Sequence, residues 1–233
     1  MNDKKRLLLI SNSVQPGSGY LEHAEEELRN FLSGARRALF VPYALSDRDG
    51  YAETARAKFL QMGFALESIH RVPDPRKAVE SAEAIFIGGG NTFRLLKTLY
   101  EHGLLAPIRL RVESGIPYIG SSAGSVVACP TIRTTNDMPI VEPPSLAALG
   151  LVAFQINAHY VDPDPNSKHM GESREVRLRE FHEENETPVV GIREGSMLRA
   201  ENGATTLKGT TGAKIFRRGE QPVEIAPETV VEL

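Results

Sequence analysis

The pentapeptide Gly120-Ser121-Ser122-Ala123-Gly124 follows an apolar run at 116–119 and precedes small residues at 125–128. A buried strand that passes through Gly-x-Ser-x-Gly into a helix forms a sharp turn, the nucleophile elbow, from which a serine hydroxyl projects. Glycine suits this turn because it lacks a β-carbon. The pattern predicts a strand, a turn and a helix, and it indicates acyl transfer, most simply hydrolysis, by Ser122. Strand-to-helix turns without a catalytic role can have the same pattern.

Short apolar runs alternate with amphipathic segments through the first half of the chain. The runs predict strands at 7–11, 38–42, 68–72, 84–87 and 116–119. The segments between them predict helices at 21–32, 51–62, 75–82 and 92–113, the last interrupted near Gly103 and Pro107. This alternation predicts an α/β fold with a mostly parallel sheet and helices on both faces. Sites in such sheets lie at the carboxyl ends of the strands.

The second half is less regular. It predicts strands at 153–158 and 188–192, a helix at 174–184, and polar loops at 131–144 and 162–168. The tail predicts short antiparallel strands with turns at 201–203 and 218–219. We expect a single α/β domain over residues 1–233 with a short C-terminal antiparallel extension.

Composition narrows the class of protein. The length of 233 residues suits one full-sized domain. The net charge of −3 provides no basic field for nucleic acid or an anionic membrane, and no apolar run reaches the roughly 18 residues of a membrane span. Cys129 is the only cysteine, which excludes an intramolecular disulfide. We expect a cytoplasmic protein, a monomer or weak homodimer, with no nucleic-acid or membrane partner.

A nucleophilic serine requires a base, and the base requires an acid that orients it. Among six histidines, His159 follows the strand predicted at 153–158, whereas the others fall mainly in polar or helical segments and three of them (His23, His102 and His182) are expected to be solvated. Asp137 and Glu194 compete as the acid. The strand-end position favours Glu194, because we expect it to share a sheet edge with Ser122 and His159.

The oxyanion formed during acyl transfer requires hydrogen-bond donors. The N–H of Ala123 is one candidate, and a second could come from the glycine run that ends at Gly90. The same run is equally consistent with a simple strand-to-helix turn. The sequence contains no cluster of cysteines and histidines and no His-Glu-x-x-His, so we expect no zinc site.

Several motifs together resemble the α-aspartyl dipeptidases of serine peptidase family S51. The resemblance covers nearly the whole chain, and its motifs lie at 8–13, 88–93, 128–141, 155–159 and 171–175. It implies a fold like that of class I glutamine amidotransferases, with no metal or cofactor. It also implies Ser122 as the nucleophile, His159 as the base, Glu194 or Asp137 as the acid, and dipeptides with an N-terminal aspartate as small peptide substrates.

The implied substrate carries a β-carboxylate and an α-ammonium group. A guanidinium binds a carboxylate through two parallel hydrogen bonds, so Arg133 and Arg174 are candidates for the first. Asn91, Asp137 and Glu172 are the candidates for the second. Pairing of the arginines with surface acids is the alternative. Two positions depart from the family pattern: Ser121 stands where an aromatic residue is frequent, and Ala158 where proline is common.

Two other functions remain open from the sequence. One is a cyanophycinase-like or other S51 hydrolase that acts on aspartyl or isoaspartyl bonds. The other is a non-catalytic protein of the same fold that binds aspartyl peptides.

Overall fold

A computed structural model describes residues 4–163 and 171–233. The strands are β1 (Arg6–Ile10), β2 (Arg37–Val41), β3 (Ala65–Ser68), β4 (Ile85–Ile87), β5 (Pro117–Ser121), β6 (Gln155–Ala158), β7 (Val189–Ile192), β8 (Ser196–Glu201), β9 (Ala204–Gly209), β10 (Ala213–Phe216) and β11 (Val223–Ile225). The helices are α1 (Glu25–Phe31), α2 (Arg48–Gln61), α3 (Pro75–Glu80), α4 (Thr92–Glu101), α5 (Leu105–Glu113), α6 (Ala123–Val126) and α7 (Arg174–Glu184), with short 3-10 helices at Glu22–Ala24 and Ile69–Arg71.

A seven-stranded sheet forms the centre, in the order β3-β2-β4-β5-β1-β8-β9. The first five strands in this order run parallel, and β8 and β9 are antiparallel to their neighbours. Alternate residues of β1 point to opposite faces: Leu7 and Leu9 belong to one buried cluster, and Leu8 and Ile10 to another. Residues of α3, α4 and α5 contribute to the first cluster and residues of α1 and α2 to the second, so helices cover both faces as predicted.

A second, four-stranded sheet follows the order β11-β10-β7-β6. Strands β6 and β7 are parallel, and β10 is antiparallel to both β7 and β11. Core residues of this sheet, such as Ile156 and Val190, belong to the same buried cluster as Leu9 of the central sheet. The expectation that His159 and Glu194 share a sheet edge with Ser122 is therefore wrong, because the first two follow β6 and β7 while Ser122 follows β5.

Most predicted helices and strands lie within a few residues of the observed ones. The predictions differ from the structure mainly after Ser68 and around Gly103, where the chain turns. The strand predicted at 68–72 is wrong, because β3 ends at Ser68 and a 3-10 helix follows it. The helix predicted over 92–113 breaks at Gly103, which has φ +61°, whereas Pro107 lies inside the first turn of α5, where proline is tolerated. The hairpin predicted at 201–203 joins β8 to β9.

Residues 164–168 of the polar loop predicted at 162–168 lie outside the described residues. No helix in the described ranges combines the length and the apolar character needed to cross a membrane.

Candidate active site

The turn after β5 has the geometry of a nucleophile elbow. Ser122 has φ 51° and ψ −110°, a backbone conformation that is strained for a residue with a side chain. A β-carbon on Gly120 would lie 2.5 Å from the carbonyl oxygen of Gly124, and one on Gly124 would lie 2.1 Å from that of Ile87. The N–H of Ser122 donates to the Ile10 carbonyl at 2.9 Å. The two glycines are thus required by close backbone contact, and the turn is fixed to the neighbouring strand.

The serines on either side of Ser122 point into the protein. The Ser125 hydroxyl is buried and donates to the carbonyls of Ile10 (2.8 Å) and Gly120 (2.9 Å). The Ser121 side chain is fully buried, and its hydroxyl has no hydrogen-bond partner among the described residues. Ser121 therefore presents no bulk to the solvent side of the turn.

Ser122, His159 and Glu194 form a chain of hydrogen bonds. His159 Nε2 lies 2.9 Å from Ser122 Oγ, and His159 Nδ1 lies 2.6 Å from Glu194 Oε1. An ionised carboxylate only accepts hydrogen bonds, so Nδ1–H donates to Glu194 and leaves the Nε2 lone pair to accept from the serine hydroxyl. The His159 and Glu194 side chains are 41% and 46% exposed, so the pair is open to solvent and to a ligand.

Ser11 joins the two sheets at this point. Its hydroxyl donates to the Ile192 carbonyl at 2.8 Å and accepts the His159 N–H at 2.9 Å. His159 also has a positive φ of 53°, which turns the chain sharply at the end of β6. We did not identify Ser11 from the sequence. Its position directly after β1, within the motif at 8–13, is the signal that could have indicated it.

The glycine run after β4 packs against the elbow. A β-carbon on Gly89 would lie 3.1 Å from Ser122 Cβ, and one on Gly90, which has φ +132°, would lie 2.7 Å from the Ala44 carbonyl oxygen. The buried Tyr51 hydroxyl accepts the Gly89 N–H at 2.7 Å. The backbone N–H groups of Gly90 and Ala123 donate to no acceptor among residues 4–163 and 171–233. Sequence reasoning missed Tyr51, which fixes this loop from the N-terminal half of α2.

The run 131–137 lies along the outer edge of β6, the last strand of the smaller sheet. Side-chain hydrogen bonds attach it to the strand: Thr134 Oγ1 donates to the Ile156 carbonyl (2.8 Å), and Asn136 Nδ2 donates to the Ala158 carbonyl (2.7 Å). An edge strand exposes unpaired backbone groups, and this run satisfies some of those on β6. It also restrains the chain at Ala158, one of the two positions that depart from the family pattern.

Asp137 lies at the N-terminus of α4 in this structure. Its Oδ2 atom accepts hydrogen bonds from the Thr92 N–H (2.7 Å), the Thr92 hydroxyl (2.5 Å) and the Thr135 hydroxyl (3.2 Å). Asn91 caps the same helix by accepting the Arg94 N–H at 3.0 Å, and its amide donates to the Met138 carbonyl at 2.9 Å. Asp137 and Asn91 thus attach the loop at 131–141 to the glycine run.

The two candidate arginines differ in their surroundings. Arg174 is half-buried at the start of α7, and burial, together with the nearby Arg177 charge, lowers the pKa of its guanidinium, an effect that Asp137 opposes. Arg133 is exposed. Neither guanidinium forms an ion pair within the part of the chain that the structure describes. The Glu172 carboxylate lies 3.6 Å from Arg177 Nε and is 55% exposed.

The expectation that His23 and His182 are solvated is wrong. Both ring nitrogens of His23 are buried and lack a hydrogen bond of ordinary geometry to any described residue. Burial lowers the pKa of this imidazole, while the Asn12 backbone and the Glu194 carboxylate oppose that change. His182 is 6% exposed, with Nδ1 3.1 Å from the Asn185 carbonyl oxygen.

Comparison with known proteins gives consistent matches over this chain. The profile of peptidase family S51 matches residues 7–208. A Streptomyces coelicolor protein named peptidase E is 53% identical over 220 residues, which cover 94% of this chain and 90% of the relative. A Drosophila melanogaster protein named probable alpha-aspartyl dipeptidase is 48% identical over 230 residues, which cover 97% and 96% of the two chains.

Two solved structures share the fold. The crystal structure of a peptidase from an acI-B1 actinobacterium has a TM-score of 0.74 at 16% identity and covers 98% of this chain and 97% of its own. That of a putative peptidase E protein from Listeria monocytogenes EGD-e has a TM-score of 0.68 at 23% identity and covers 89% and 99% of the two chains. At these identities the likeness concerns the fold alone.

Proposed function

The chain belongs to peptidase family S51, and from this premise we propose that it is a serine dipeptidase that hydrolyses dipeptides with an N-terminal aspartate. The hydrogen-bonded chain from Ser122 through His159 to Glu194 is the observation that carries the proposal. The name of the Drosophila melanogaster relative, probable alpha-aspartyl dipeptidase, supports the choice of substrate, and that of the Streptomyces coelicolor relative, peptidase E, supports a peptidase.

In the proposed reaction, Ser122 Oγ attacks the carbonyl carbon of the N-terminal aspartate. His159 Nε2 accepts the serine proton as the bond forms, and then donates it to the leaving amine. A water molecule repeats the sequence on the acyl-enzyme and releases free aspartate. The Glu194 carboxylate accepts the Nδ1–H bond throughout, and its charge stabilises the imidazolium that forms after each proton transfer. Asp137, which bonds to Thr92 and Thr135, is not the acid in this mechanism.

The N–H groups of Ala123 and Gly90 are the proposed oxyanion donors. Ala123 opens α6 directly after the nucleophile, and Gly90 belongs to the run that packs against Ser122. Neither group has an acceptor among the described residues, so both are free to donate to the oxygen that becomes negatively charged.

The proposed contact for the substrate β-carboxylate is Arg174. Its guanidinium is half-buried and unpaired among the described residues, whereas the guanidinium of Arg133 is exposed. A carboxylate ligand would compensate the partly desolvated charge of Arg174 and bind it through two hydrogen bonds. Glu172 is the proposed contact for the α-ammonium group, because Asn91 and Asp137 form hydrogen bonds of 2.9 and 2.7 Å within the fold, whereas Glu172 is 55% exposed and forms a longer ion pair, 3.6 Å, with Arg177.

The test is hydrolysis of Asp-Leu, Glu-Leu, Leu-Leu and isoaspartyl-Leu by the wild type and by Ser122→Ala. We expect the wild type to prefer Asp-Leu, and Ser122→Ala to lower its kcat by at least about 10⁴-fold. Preference for the isoaspartyl bond would identify a different S51 hydrolase. Binding of Asp-Leu without turnover by the wild type would identify a non-catalytic binding protein.

A further inference from the structure

Arg193, the residue before Glu194, binds two carboxylates with one guanidinium. Its Nε and Nη2 atoms donate to the Asp162 oxygens at 2.6 and 3.1 Å. Nη2 also donates to Glu224 Oε2 at 3.0 Å, and Nη1 donates to the other oxygen of Glu224. Such two-pronged pairs fix orientation as well as distance.

Asp162 lies three residues after His159, and Arg193 directly precedes Glu194. The Arg193–Asp162 pair therefore connects the segment that carries the proposed base with the segment that carries the proposed acid. Lys214 of β10 adds a second cation, with Nζ 2.6 Å from Asp162 Oδ1. Lys214 is registered opposite Glu224 across β10 and β11. We call these four residues, Arg193, Asp162, Lys214 and Glu224, the clamp. It connects the end of β7, the segment after β6, and strands β10 and β11 of the smaller sheet.

The clamp also encloses Tyr160, the neighbour of His159 in sequence. The guanidinium of Arg193 and the ammonium of Lys214 each lie 5.9 Å from the centre of the Tyr160 ring. A β-carbon on Gly191 would lie 2.7 Å from Tyr160 Cδ2, so the ring packs directly on the backbone of β7. The residue after the base is thereby held by packing and by charge.

The His159–Glu194 pair lies in an environment that restrains it little, so its position depends on contacts such as those of the clamp. Both side chains are more than two-fifths exposed, so close packing does not restrain them. The other fixed points are backbone contacts: the His159 N–H donates to Ser11, and the Thr211 hydroxyl donates to the Glu194 carbonyl at 2.7 Å. The hydrogen bonds from Arg193 lower the pKa of the Asp162 carboxyl from 3.8 to about 2, so the clamp stays ionised in acidic as well as neutral solution.

We propose that Arg193 and Asp162 are positioning residues, which keep the His159–Glu194 hydrogen bond formed before substrate binds. The proposal rests on the proposed function of the site for its kinetic consequence. Neither residue touches the reacting atoms. Their effect is expected on kcat, because a small displacement of a catalytic group slows the chemical step more than it weakens binding.

The experiment compares Asp162→Asn and Arg193→Lys with Glu27→Gln in the full chain. Glu27 of α1 pairs with Arg199 of β8 at 2.6 Å, and Arg199 is 18% exposed where Arg193 is 21% exposed, so this variant is a control for the loss of a partly buried ion pair outside the clamp. We expect each clamp variant to lower kcat for Asp-Leu about tenfold with KM within about twofold, and Glu27→Gln to leave both within about twofold. Asp162→Glu, which keeps the carboxylate, should recover part of the loss.

Proton NMR gives a readout that does not depend on turnover. The Nδ1–H of His159, bonded to a carboxylate at 2.6 Å, is expected to give a low-field signal that Glu194→Gln abolishes and that both clamp variants weaken. Full kcat and an intact signal in both clamp variants would overturn the proposal, as would a loss of kcat that only matches the unfolded fraction found by thermal melting. If the wild type fails to hydrolyse Asp-Leu, the proposed function is wrong, and the signal alone then tests the clamp.

Discussion

The two sheets hold their catalytic candidates in different ways. On the seven-stranded sheet, Ser122 is fixed by the backbone: Gly120 and Gly124 lie too close to neighbouring carbonyls for any side chain, and the serine N–H bonds to β1. On the four-stranded sheet, His159 and Glu194 lie at half-exposed strand ends and are fixed through side chains, mainly those of Ser11 and the clamp.

This difference predicts how each half tolerates change. A position fixed by backbone contact has no space to relax, so a single methyl group disturbs the fold itself. A position fixed by polar side chains loses one bond at a time, so its function declines in steps while the fold persists.

Gly124→Ala is expected to abolish activity and to lower the free energy of unfolding by more than about 3 kcal/mol, because its β-carbon would lie 2.1 Å from the Ile87 carbonyl oxygen. Gly17→Ala is the control: Gly17 has φ +79° but no atom within 4 Å of the added carbon, so only the cost of the backbone angle, about 1–2 kcal/mol, applies. Urea denaturation measures the free energy of unfolding of both variants. Equal losses in the two variants would show that backbone contact at the elbow is unimportant.

Glu194→Gln is expected to lower kcat about 10³-fold to 10⁴-fold, because an amide cannot stabilise the imidazolium of His159 and can favour the wrong tautomer. The protein should remain folded, since the side chain is 46% exposed. Steady-state kinetics with Asp-Leu and a thermal melt measure the two effects. A wild-type kcat in this variant would remove Glu194 from the mechanism.

Asp137→Asn is the counterpart of that variant. Asp137 accepts two hydrogen bonds from Thr92, which attach the loop at 131–141 to α4, and a third from Thr135 within the loop, so the substitution should destabilise the fold by about 1–3 kcal/mol. We expect kcat to fall less than about tenfold, since the catalytic proton transfers do not involve this residue. A loss of kcat as large as that of Glu194→Gln, without loss of stability, would assign the acid role to Asp137.

The local patterns of the sequence predicted one half of the site better than the other. The elbow, the glycine run and the strand that precedes His159 are encoded by contiguous residues, so their structures follow from short-range rules. The pairing of β6 with β7 joins segments about 30 residues apart in a separate sheet. Because no local periodicity encodes that separation, the sequence placed His159 and Glu194 at the wrong sheet edge.

The choice between Asp137 and Glu194 also depends on long-range contacts. No local sequence motif around Asp137 or Glu194 identifies the group to which its carboxylate hydrogen-bonds. The hydrogen bonds of Asp137 to α4 and of Glu194 to His159 distinguish them in the structure. The run at 131–137 has a structural use that its composition did not indicate, namely attachment to the edge of β6.

Tyr51→Phe tests a side-chain contact on the backbone-fixed half. The substitution removes the hydroxyl that accepts the Gly89 N–H at 2.7 Å and leaves that group buried without its partner, a cost of about 1–3 kcal/mol in stability. We expect kcat to fall about tenfold, because Gly90, a proposed oxyanion donor, directly follows Gly89 and would be held less firmly. In Tyr20→Phe, which removes a hydroxyl 3.4 Å from that of Tyr51, kcat should stay within about twofold of the wild type.

Acidification is expected to produce the smallest effect, and to act on the clamp. Hydrogen bonds from Arg193, followed by that from Lys214, lower the pKa of Asp162 from its ordinary value of 3.8 to about 2, although burial opposes this change. A carboxyl whose pKa is lower in the folded state stabilises the fold above the unfolded value, and this stabilisation is lost as pH falls from about 4 to about 2. Solvent screening limits the size of this stabilisation, because the Asp162 side chain is 41% exposed.

The melting temperature of Asp162→Asn should therefore fall by a few degrees less on acidification than that of the wild type. Hydrogen bonds from Arg71 also lower the pKa of Asp49, but this side chain is 73% exposed and solvent screens the pair, so Asp49→Asn should differ less from the wild type than Asp162→Asn does. The same acid dependence in all three proteins would mean that the clamp contributes nothing to the stability of the smaller sheet.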